Sequence, residues 1–299
     1  MRPFPRVVLT ETEVQDAVQR ALAEDLGPGD VTTLAVVPAA TRARARLVAR
    51  ESVVVAGLAF AVAAFRGLSS RVRIEPEVED GARVGPGDTL LRVSGPARAL
   101  LTAERTALNF LQRLSGVATL TARYVAAVAG TRAQILDTRK TTPGWRRFEK
   151  YAVACGGGRN HRLGLHDLVL LKDNHLAALA AQRPNPVAAA VRRARRACRG
   201  LPIEVEADTL TQVRQAVAAG ADLILLDNMS PARLREAVAL VRGRAGTEAS
   251  GGVNLETVRA IAATGVDFIS VGALTHSAPA VDLALDFEPV RRHRAPRRS

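Results

Sequence analysis

The sequence predicts an α/β protein in which an N-terminal α+β unit precedes a parallel α/β barrel of about six strands. Three observations lead to this prediction. Hydrophobic residues make up 47% of the 299 residues but aromatic residues only 3%, so the core must consist of Ala, Val, Leu and Ile, as in parallel strands covered by helices. Residues 41–95 alternate as strands do, with Gly and Pro turns. From about residue 130, short apolar runs alternate with helical patterns, which is typical of βα units.

The N-terminal part predicts helices at both ends and strands between them. Residues 11–26 and 97–129 carry apolar residues at helical spacing. The stretches 42–57 and 72–95 have strand-like alternation, and a short helical pattern over 58–68 separates them. This order predicts an α+β unit with a largely antiparallel sheet.

Six apolar runs follow, and polar residues cluster at or just after the carboxyl end of each. The runs are QILDT (134–138), DLVLLKD (167–173), PIEVEAD (202–208), DLILLDN (222–228), TEASGG (247–252) and DFISVGA (267–273). Such units fit either a barrel or a doubly wound open sheet. A barrel builds one site from many strand ends, whereas an open sheet gathers its ligand contacts at one switch point. The distribution of polar residues therefore favours the barrel.

Basic residues are concentrated at the predicted barrel mouth. Arg139, Lys140, Arg162 and Lys172, together with His161, are expected there. So many cations in a small volume repel one another, and carboxylates or phosphates are their natural partners. We therefore expect an anionic ligand. For Arg162, a helix cap or a surface ion pair is the alternative.

Lysine is rare in this chain, since only three of the 42 Lys and Arg residues are lysines. Lysine is a compact charge on a flexible stem, whereas arginine is a rigid planar fork. Lys140 and Lys172 stand at strand ends, where we expect positions that arginine does not fit. Lys150 lies in the helical stretch RRFEKYA and is interpreted as a surface residue.

Two glycine loops on the last two strands predict a phosphate cradle. The segment 250–252 (SGG) precedes a helix that is expected to begin near Asn254, and 272–273 (GA) precedes a short helical segment. Glycines allow backbone N–H groups to approach an anion, and a helix N-terminus favours negative charge. The segment 156–160 (GGGRN) follows a helical stretch instead of a strand, so we interpret it as a flexible loop and not as a nucleotide fingerprint.

Acidic residues are also expected at the mouth. Glu204 and Glu206 are two residues apart and so lie on the same face of their strand, and Asp227 ends the next run. Magnesium that bridges to phosphates, or hydrogen bonds to ribose hydroxyls, would use such carboxylates. We predict this role for Glu204 and Asp227, with salt bridges to the neighbouring lysines as the alternative.

The net charge of +13 does not by itself indicate nucleic-acid binding. Much of the excess lies in two runs, 192–199 and 291–299, without an aromatic platform or zinc finger. The first fits the solvated face of a helix, and the second is expected to be a disordered tail. Cys155 and Cys198 give neither a disulfide framework nor zinc spacing. No apolar run suits a membrane span or a signal peptide, so we expect a cytoplasmic enzyme with no membrane or nucleic-acid partner.

The segment 135–175, ILDTRKTTPGWRRFEKYAVACGGGRNHRLGLHDLVLLKDNH, closely resembles the central signature of the quinolinate phosphoribosyltransferases. Further segments match that family in the same order: EDLGPGDVTT, ERTALNFLQRLSGVAT, IEVEAD, LLDNM, EASGGV and DFISVGALTHS. The resemblance covers roughly residues 10–287. It implies an N-terminal α/β sandwich domain over 1–115, joined by 275–290, and an incomplete barrel over 116–274.

The resemblance also implies an activity. Enzymes of this family are pentosyl glycosyltransferases that combine quinolinate with phosphoribosyl pyrophosphate (PRPP) in the presence of Mg²⁺. They release nicotinate mononucleotide, pyrophosphate and CO2 in the synthesis of NAD. The family resemblance further implies a homodimer in which Arg105 reaches into the active site of the neighbouring subunit.

Site residues are carried over by this resemblance. Lys140, Lys172, Glu204 and Asp227 are implied as catalytic residues, and Glu204 and Asp227 also as the magnesium site through PRPP. The implied substrate-binding residues are Arg105, Thr138, Arg139, His161, Arg162, Ser250, Gly251, Gly252, Val271, Gly272 and Ala273.

Three other functions remain as alternatives. A related phosphoribosyltransferase that acts on nicotinate, or a molybdenum-locus paralogue, would share the phosphate loops but need fewer cations for a single carboxylate. An arginine-rich RNA-binding protein would bind RNA in a salt-sensitive way without turnover. An aldolase would use Lys172 as a Schiff base.

Overall fold

The computed structural model describes Phe4 and residues 6–288, which fall into two units. The antiparallel unit consists of Leu9–Gly116 and Pro279–Ser299, and the parallel unit consists of Met1–Val8 and Val117–Ala278. The tail predicted over 291–299 lies outside the described residues. Within the described part of the chain, no helix is both long and apolar enough to span a membrane.

Helices and strands occur where the hydrophobic patterns place them. In chain order the elements are α1 (Glu11–Leu26), α2 (Val31–Val36), β1 (Arg42–Ala49), β2 (Val53–Val54), α3 (Leu58–Leu68), β3 (Arg73–Pro76), β4 (Arg83–Val84), β5 (Thr89–Pro96), α4 (Ala97–Ala127), β6 (Gln134–Leu136), α5 (Arg146–Cys155), β7 (Val169–Leu171), α6 (Asp173–Ala177), α7 (Pro186–Ala197), β8 (Ile203–Ala207), α8 (Leu210–Ala219), β9 (Leu223–Asp227), α9 (Pro231–Val241), β10 (Gly246–Ser250), α10 (Val258–Ala262), β11 (Phe268–Ser270), α11 (Ala273–His276) and β12 (Leu283–Phe287).

The antiparallel unit is built on a four-stranded sheet with the order β12-β1-β5-β3, in which every neighbouring pair is antiparallel. Helix α1 begins at a capping box, since Thr10 Oγ1 accepts the Glu13 N–H at 3.2 Å and Glu13 Oε2 accepts the Thr10 N–H at 2.9 Å. The helix ends at Gly27. Its buried stripe, Val14, Ala17, Val18 and Leu22, has the spacing that predicted the helix.

The parallel unit contains a six-stranded sheet with the order β6-β11-β10-β9-β8-β7, and all its pairs are parallel. Among the described residues, β6 and β7 are not paired with each other, so the barrel is incomplete, as predicted. Asn185, Thr209 and Ser230 cap α7, α8 and α9 by accepting a backbone N–H in the first turn. The short connections that these caps permit bring each helix back onto the sheet.

The first residues belong to the parallel unit, which corrects the domain predicted over 1–115. Phe4 is only 2% exposed and packs in one core cluster with Leu136, Leu168 and Leu223. The Val7 N–H donates to Asn160 Oδ1 at 2.7 Å. Burial of an aromatic ring of this size outweighs the proximity in sequence to α1. A single apolar residue ahead of a helix carries no periodicity that could have placed it.

Candidate active site

A cavity of about 840 Å³ opens at the carboxyl ends of the parallel strands. Every residue that lines it belongs to the parallel unit. The predicted site residues among them are Thr138, Arg139, Lys140, His161, Arg162, Lys172, Asp227, Ser250, Gly251, Gly252, Gly272 and Ala273. With Glu206 on β8, the lining residues include the carboxyl ends of all six parallel strands, which is the reason that widely separated motifs meet here.

Two predicted substrate-binding residues have other surroundings. Val271 is 1% exposed, and its N–H donates to the Leu136 carbonyl at 2.9 Å, so it acts as a backbone link between β6 and β11 and is not a lining residue. Arg105 is exposed on α4 in the antiparallel unit.

The two arginines of the cavity lie close enough to affect each other. Burial lowers the pKa of Arg162, and the charge of Arg139 lowers it further. Arg162 is 8% exposed and donates to the Leu168 carbonyl at 3.3 Å, which excludes a surface ion pair as its role. Arg139 Nε is buried with no hydrogen-bond partner among the described residues. Two adjacent guanidinium groups with unused donors suit a ligand that carries carboxylates.

The prediction that Glu204 lies at the mouth is wrong, and Glu206 takes that place. Glu204 is 0% exposed and does not line the cavity, whereas the half-buried Glu206 does. Burial raises the pKa of Glu206, while the Lys172 charge lowers it and Asp227 raises it, so these three side chains share one region. Glu204 and Glu206 are two residues apart on one strand, so they point to the same face but lie at different distances from the carboxyl end, where the cavity opens.

Glu204 instead forms a buried cluster with His161 and Glu248, both of which line the cavity. His161 Nε2 lies 3.1 Å from Glu204 Oε2 and 3.3 Å from Glu248 Oε2. Among the described residues, none of the four carboxylate oxygens accepts a hydrogen bond of good geometry. Glu248 precedes Ser250 by two residues on β10 and was not predicted, although the same two-residue period would have placed it on the inner face.

The His161 cluster retains protons at neutral pH. Burial lowers the pKa of His161, but Glu248 and Glu204 together raise it to about 10, and burial and Glu248 raise the pKa of Glu204 to about 7. The Arg162 N–H donates to His161 Nδ1 at 2.7 Å, so Nδ1 carries no hydrogen and Nε2 carries one. His161 Nε2 faces both Glu204 and Glu248, so the raised pKa values of His161 and Glu204 belong to the cluster as a whole.

These three groups lie within 4.8 Å of one another, close enough to hold a metal ion. A metal would require a lone pair on Nε2, which the hydrogen on that atom removes. The geometry therefore favours a shared proton at this position.

Lys150 is fully buried, which corrects its interpretation as a surface residue. It pairs with the equally buried Asp137, and its Nζ also donates to the His161 carbonyl at 3.0 Å. Asp137 in turn accepts the His161 N–H at 2.8 Å and the Asn160 amide at 2.7 Å. Asp137, Lys150 and Asn160 thus fix the main chain at His161, and sequence reasoning assigned none of them to the site.

The segment 156–160 is closely packed, so its interpretation as a flexible loop is wrong. A Cβ at Gly156 would lie 2.4 Å from the Ala118 carbonyl oxygen, and one at Gly158 would lie 2.7 Å from Val153 Cγ1. These glycines permit close approach to neighbouring helices, and they deliver the buried Asn160 to its partners.

The phosphate loop at 250–252 depends on glycine geometry. Gly251 has φ +95°, and a Cβ there would lie 2.1 Å from Asn228 Oδ1, whereas Gly252 has φ +60° and open space. Helix α10 begins at Val258 and not near Asn254, because the Asn254 side chain instead caps a turn by accepting the N–H groups of residues 256 and 257. The short α10 therefore supplies no helix N-terminus to the loop, and the backbone of the loop itself faces the cavity.

Two family models together match most of the chain. The model of the quinolinate phosphoribosyl transferase C-terminal domain matches residues 117–286, and that of the N-terminal domain matches residues 30–115. The nicotinate-nucleotide pyrophosphorylase [carboxylating] of Mycobacterium leprae is 48% identical over 278 residues, which cover 91% of this chain and 96% of that relative. A probable nicotinate-nucleotide pyrophosphorylase [carboxylating] of Bacillus subtilis is 42% identical over 264 residues, covering 88% of this chain and 89% of that relative.

A solved structure shares the fold over the same extent. The nicotinate-nucleotide pyrophosphorylase of Francisella tularensis superposes with a TM-score of 0.89 at 38% identity, covering 95% of this chain and 99% of that chain. All the residues that line the cavity lie within the region matched by the C-terminal domain model.

Proposed function

The chain belongs to the quinolinate phosphoribosyltransferase family, and we propose from this premise that it transfers the phosphoribosyl group of PRPP to quinolinate with decarboxylation. The products are nicotinate mononucleotide, pyrophosphate and CO2, in the de novo synthesis of NAD. The observation that carries this proposal is the convergence of Arg139, Lys140, Arg162 and Lys172 on one cavity together with two glycine loops.

Quinolinate carries two adjacent carboxylates on a pyridine ring. Arg139 and Arg162 supply adjacent guanidinium groups, and Lys172 supplies a third cation in the same wall. A planar guanidinium binds a carboxylate through two parallel hydrogen bonds, which fixes orientation as well as charge. His161 lies in the same wall, where its buried ring would contact the substrate. Nicotinate, with one carboxylate, would leave some of these cations unpaired.

PRPP fits the opposite side of the cavity, where the glycine loops lie. The backbone N–H groups of 250–252 and 272–273 can approach a phosphate because no side chains intervene. Lys140 is held next to the second loop, since Thr275 Oγ1 donates to the Lys140 carbonyl at 2.7 Å. We assign Lys140 to the pyrophosphate group of PRPP.

The reaction needs orientation and charge stabilisation more than a covalent nucleophile. The pyridine nitrogen forms a bond to C1 of ribose while the bond from C1 to the pyrophosphate oxygen breaks, and the electron pair leaves with pyrophosphate. Cations fixed in place stabilise that departing charge, and holding both substrates together lowers the entropic part of the barrier. The positively charged ring then accepts the electron pair of the bond between C2 and its carboxylate, CO2 leaves, and C2 takes up a proton.

Magnesium is part of the proposal, with Glu206 and Asp227 as the carboxylates that face it. Burial raises the pKa of both carboxyl groups, as expected of acids that face a cation site in the absence of the cation. Hard carboxylate oxygens, together with the oxygens of PRPP, suit Mg²⁺. The ion would neutralise charge on the phosphates as pyrophosphate departs. Glu204 is excluded from this role by its burial beneath the cavity.

A homodimer with shared active sites is also proposed. Helix α2 exposes three apolar side chains, Val31, Leu34 and Val36, which are 76%, 53% and 71% exposed in the single chain. An apolar cluster of this kind on a short helix suits contact with a second copy. Arg105, exposed on α4, is the residue that we assign to the neighbour's quinolinate pocket.

A cytoplasmic location fits Cys155 and Cys198, neither of which is in a disulfide.

The test of the activity is an assay with PRPP and Mg²⁺ in which quinolinate and nicotinate are supplied in parallel. Nicotinate mononucleotide is measured together with labelled CO2 from the C2 carboxyl group. We expect product from quinolinate alone, with one CO2 for each nucleotide. Turnover of nicotinate but not quinolinate would contradict the assignment of the basic cluster to a dicarboxylate.

A further inference from the structure

The N-terminal segment contacts His161, a residue of the cavity wall. The ring of Phe4 is 5.0 Å from that of His161 between centroids, tilted by 41°. On another side it meets Phe268 edge-on, with the centroids 4.9 Å apart and the planes at 84°. Phe4 does not line the cavity itself, but it contacts the ring of His161, which does. An influence of Phe4 on a substrate can therefore pass through His161.

The same segment reaches His161 by a second, polar route. The Val7 N–H donates to Asn160 Oδ1 at 2.7 Å, so the side-chain amide of Asn160 is turned with its nitrogen inward. That nitrogen donates to Asp137 Oδ2 at 2.7 Å and to the Lys150 carbonyl at 2.7 Å. The segment is further held by Arg147, whose Nη2 donates to the Val8 carbonyl at 3.0 Å.

Asp137 and Lys150, the partners of Asn160, bind the two polar groups of the His161 main chain. Asp137 Oδ1 accepts the His161 N–H at 2.8 Å, and Lys150 Nζ donates to its carbonyl at 3.0 Å. The imidazole itself is held by the Arg162 N–H at Nδ1 and faces Glu204 and Glu248 at Nε2. Phe4 is the apolar surface against which this ring rests, so loss of the Phe4 ring would open a cavity on that side.

We propose that Phe4 and Val7 form a positioning element for His161, in which Phe4 sets the plane of the imidazole and Val7, through Asn160, sets the main chain. This inference rests on the proposed function, because His161 is assigned there to the quinolinate side of the cavity. Phe4 is a positioning residue and touches no substrate. A ring that drops toward an emptied Phe4 site would move its edge away from quinolinate and leave the glycine loops for PRPP unchanged.

The kinetic test compares Phe4→Ala and Phe4→Leu with two control variants. Leu234→Ala truncates an equally buried side chain on α9, and Val8→Ala removes an exposed side chain of the same segment. We expect Phe4→Ala to lower kcat/KM for quinolinate by about tenfold or more, with little change in KM for PRPP, because small misplacements in an active site have large kinetic effects. Phe4→Leu, which keeps most of the volume, should recover much of the loss, and both controls should retain normal values for quinolinate.

A double-mutant cycle separates positioning from general destabilisation. If Phe4 acts through His161, Phe4→Ala should have little further effect on kcat/KM in a His161→Asn background. An equal fold-loss in both backgrounds would overturn the proposal, as would a loss in Leu234→Ala of the same size and the same selectivity for quinolinate. Should Phe4→Ala fail to fold, Phe4→Leu is carried through the same cycle, with a smaller coupling expected.

A measurement that does not depend on turnover is the ¹⁵N NMR spectrum of the histidine rings, with the His161 signals assigned from His161→Asn. Phe4→Ala should shift both ring nitrogens of His161 and leave those of His166 and His175 in place, whereas unchanged His161 signals would overturn the proposal. If the wild-type protein does not turn over quinolinate, the proposed function fails by itself, and this spectrum then decides whether Phe4 positions the ring.

Discussion

Lys150 and Asp137 form an ion pair in which both side chains are fully buried. Burial lowers the pKa of Lys150 and raises that of Asp137, and in each case the partner's charge opposes the change. Such a pair is retained only when further hydrogen bonds satisfy its remaining atoms. Here the His161 main chain and the Asn160 amide supply them. The pair therefore links the stability of the parallel unit to the position of a cavity residue.

Removing one partner of this pair should be costly. We expect Lys150→Met to lower the free energy of unfolding by about 3–5 kcal/mol, because it leaves the Asp137 carboxylate buried without a counter-charge. Urea unfolding measures the change. Lys140→Met, a substitution of the same kind at the cavity, should lower activity and change the unfolding free energy by less than about 0.5 kcal/mol. Similar stability losses in the two variants would contradict the distinction between them.

Glu206 and Glu204 should respond differently to magnesium. Glu206→Gln is expected to raise the Mg²⁺ concentration needed for half-maximal activity by at least about tenfold, as loss of groups around a metal site commonly does. Glu204→Gln should leave that concentration unchanged, because Glu204 lies beneath the cavity beside His161. Titration of activity with Mg²⁺ at saturating PRPP measures both. A shift in the Glu204 variant alone would restore the original prediction from the sequence.

The two glycines of the phosphate loop offer a matched pair. Gly251→Ala should raise KM for PRPP by about tenfold, because its Cβ would displace Asn228 from the cavity wall. Gly252→Ala meets open space and carries only the strain of its left-handed backbone, about 1–2 kcal/mol. Steady-state kinetics with varied PRPP distinguishes the two. Equal effects would mean that the contact with Asn228 does not matter.

Shared active sites should allow two inactive variants to complement each other. Arg105→Ala and Lys140→Ala should each lose most activity when alone. After subunit exchange, a mixed dimer contains one active site with neither substitution, so about a quarter of the wild-type activity should return in an equal mixture, since half of the dimers are mixed and half of their sites are intact. The assay is run after exchange has been verified with tagged subunits. No recovery would contradict the assignment of Arg105 to the neighbour's site.

Asp167 should make stability depend on pH in the acidic range. Burial raises its pKa, but the N–H groups of Leu163 and Gly164, at 2.6 Å and 3.0 Å, outweigh burial and lower it. Because the folded pKa lies below the unfolded one, the carboxylate stabilises the fold above the unfolded pKa, and this contribution is lost as the pH falls through the folded pKa. Asp167→Asn should thus be less stable than wild type at pH 7, with a difference that shrinks below about pH 4. A difference that grows on acidification would reverse the sign of this argument.

The sequence was sufficient for those features that follow from local periodicity. The stripe at Val14, Ala17, Val18 and Leu22 predicted α1, and six apolar runs predicted the strands of the parallel sheet. Lys172, at the end of one such run, could be placed at the cavity because carboxyl ends of parallel strands meet at one edge. The enzyme class came from the resemblance of whole motifs and not from periodicity.

Local periodicity could not predict how deep a side chain lies within the barrel or which distant residues it contacts. A two-residue period states that Glu204 and Glu206 share a face, but the stagger of the barrel strands decides which of them reaches the cavity. Lys150 has the sequence surroundings of an exposed helical residue, and only the non-local approach of Asp137 explains its burial. Phe4 has no neighbouring pattern at all, since its partners lie on β6, β9 and β11 and just before β7.

The sheet order β12-β1-β5-β3 has a consequence for synthesis on the ribosome. Strand β1 pairs with β12, for example Leu47 with Leu285, so a growing chain must produce the whole segment 117–278 before β1 gains this neighbour. Until then the nascent antiparallel sheet has an open edge, to which a strand of another chain could add. A chain that stalls or is cleaved before β12 would keep that edge exposed, and we expect such fragments to depend most on chaperones.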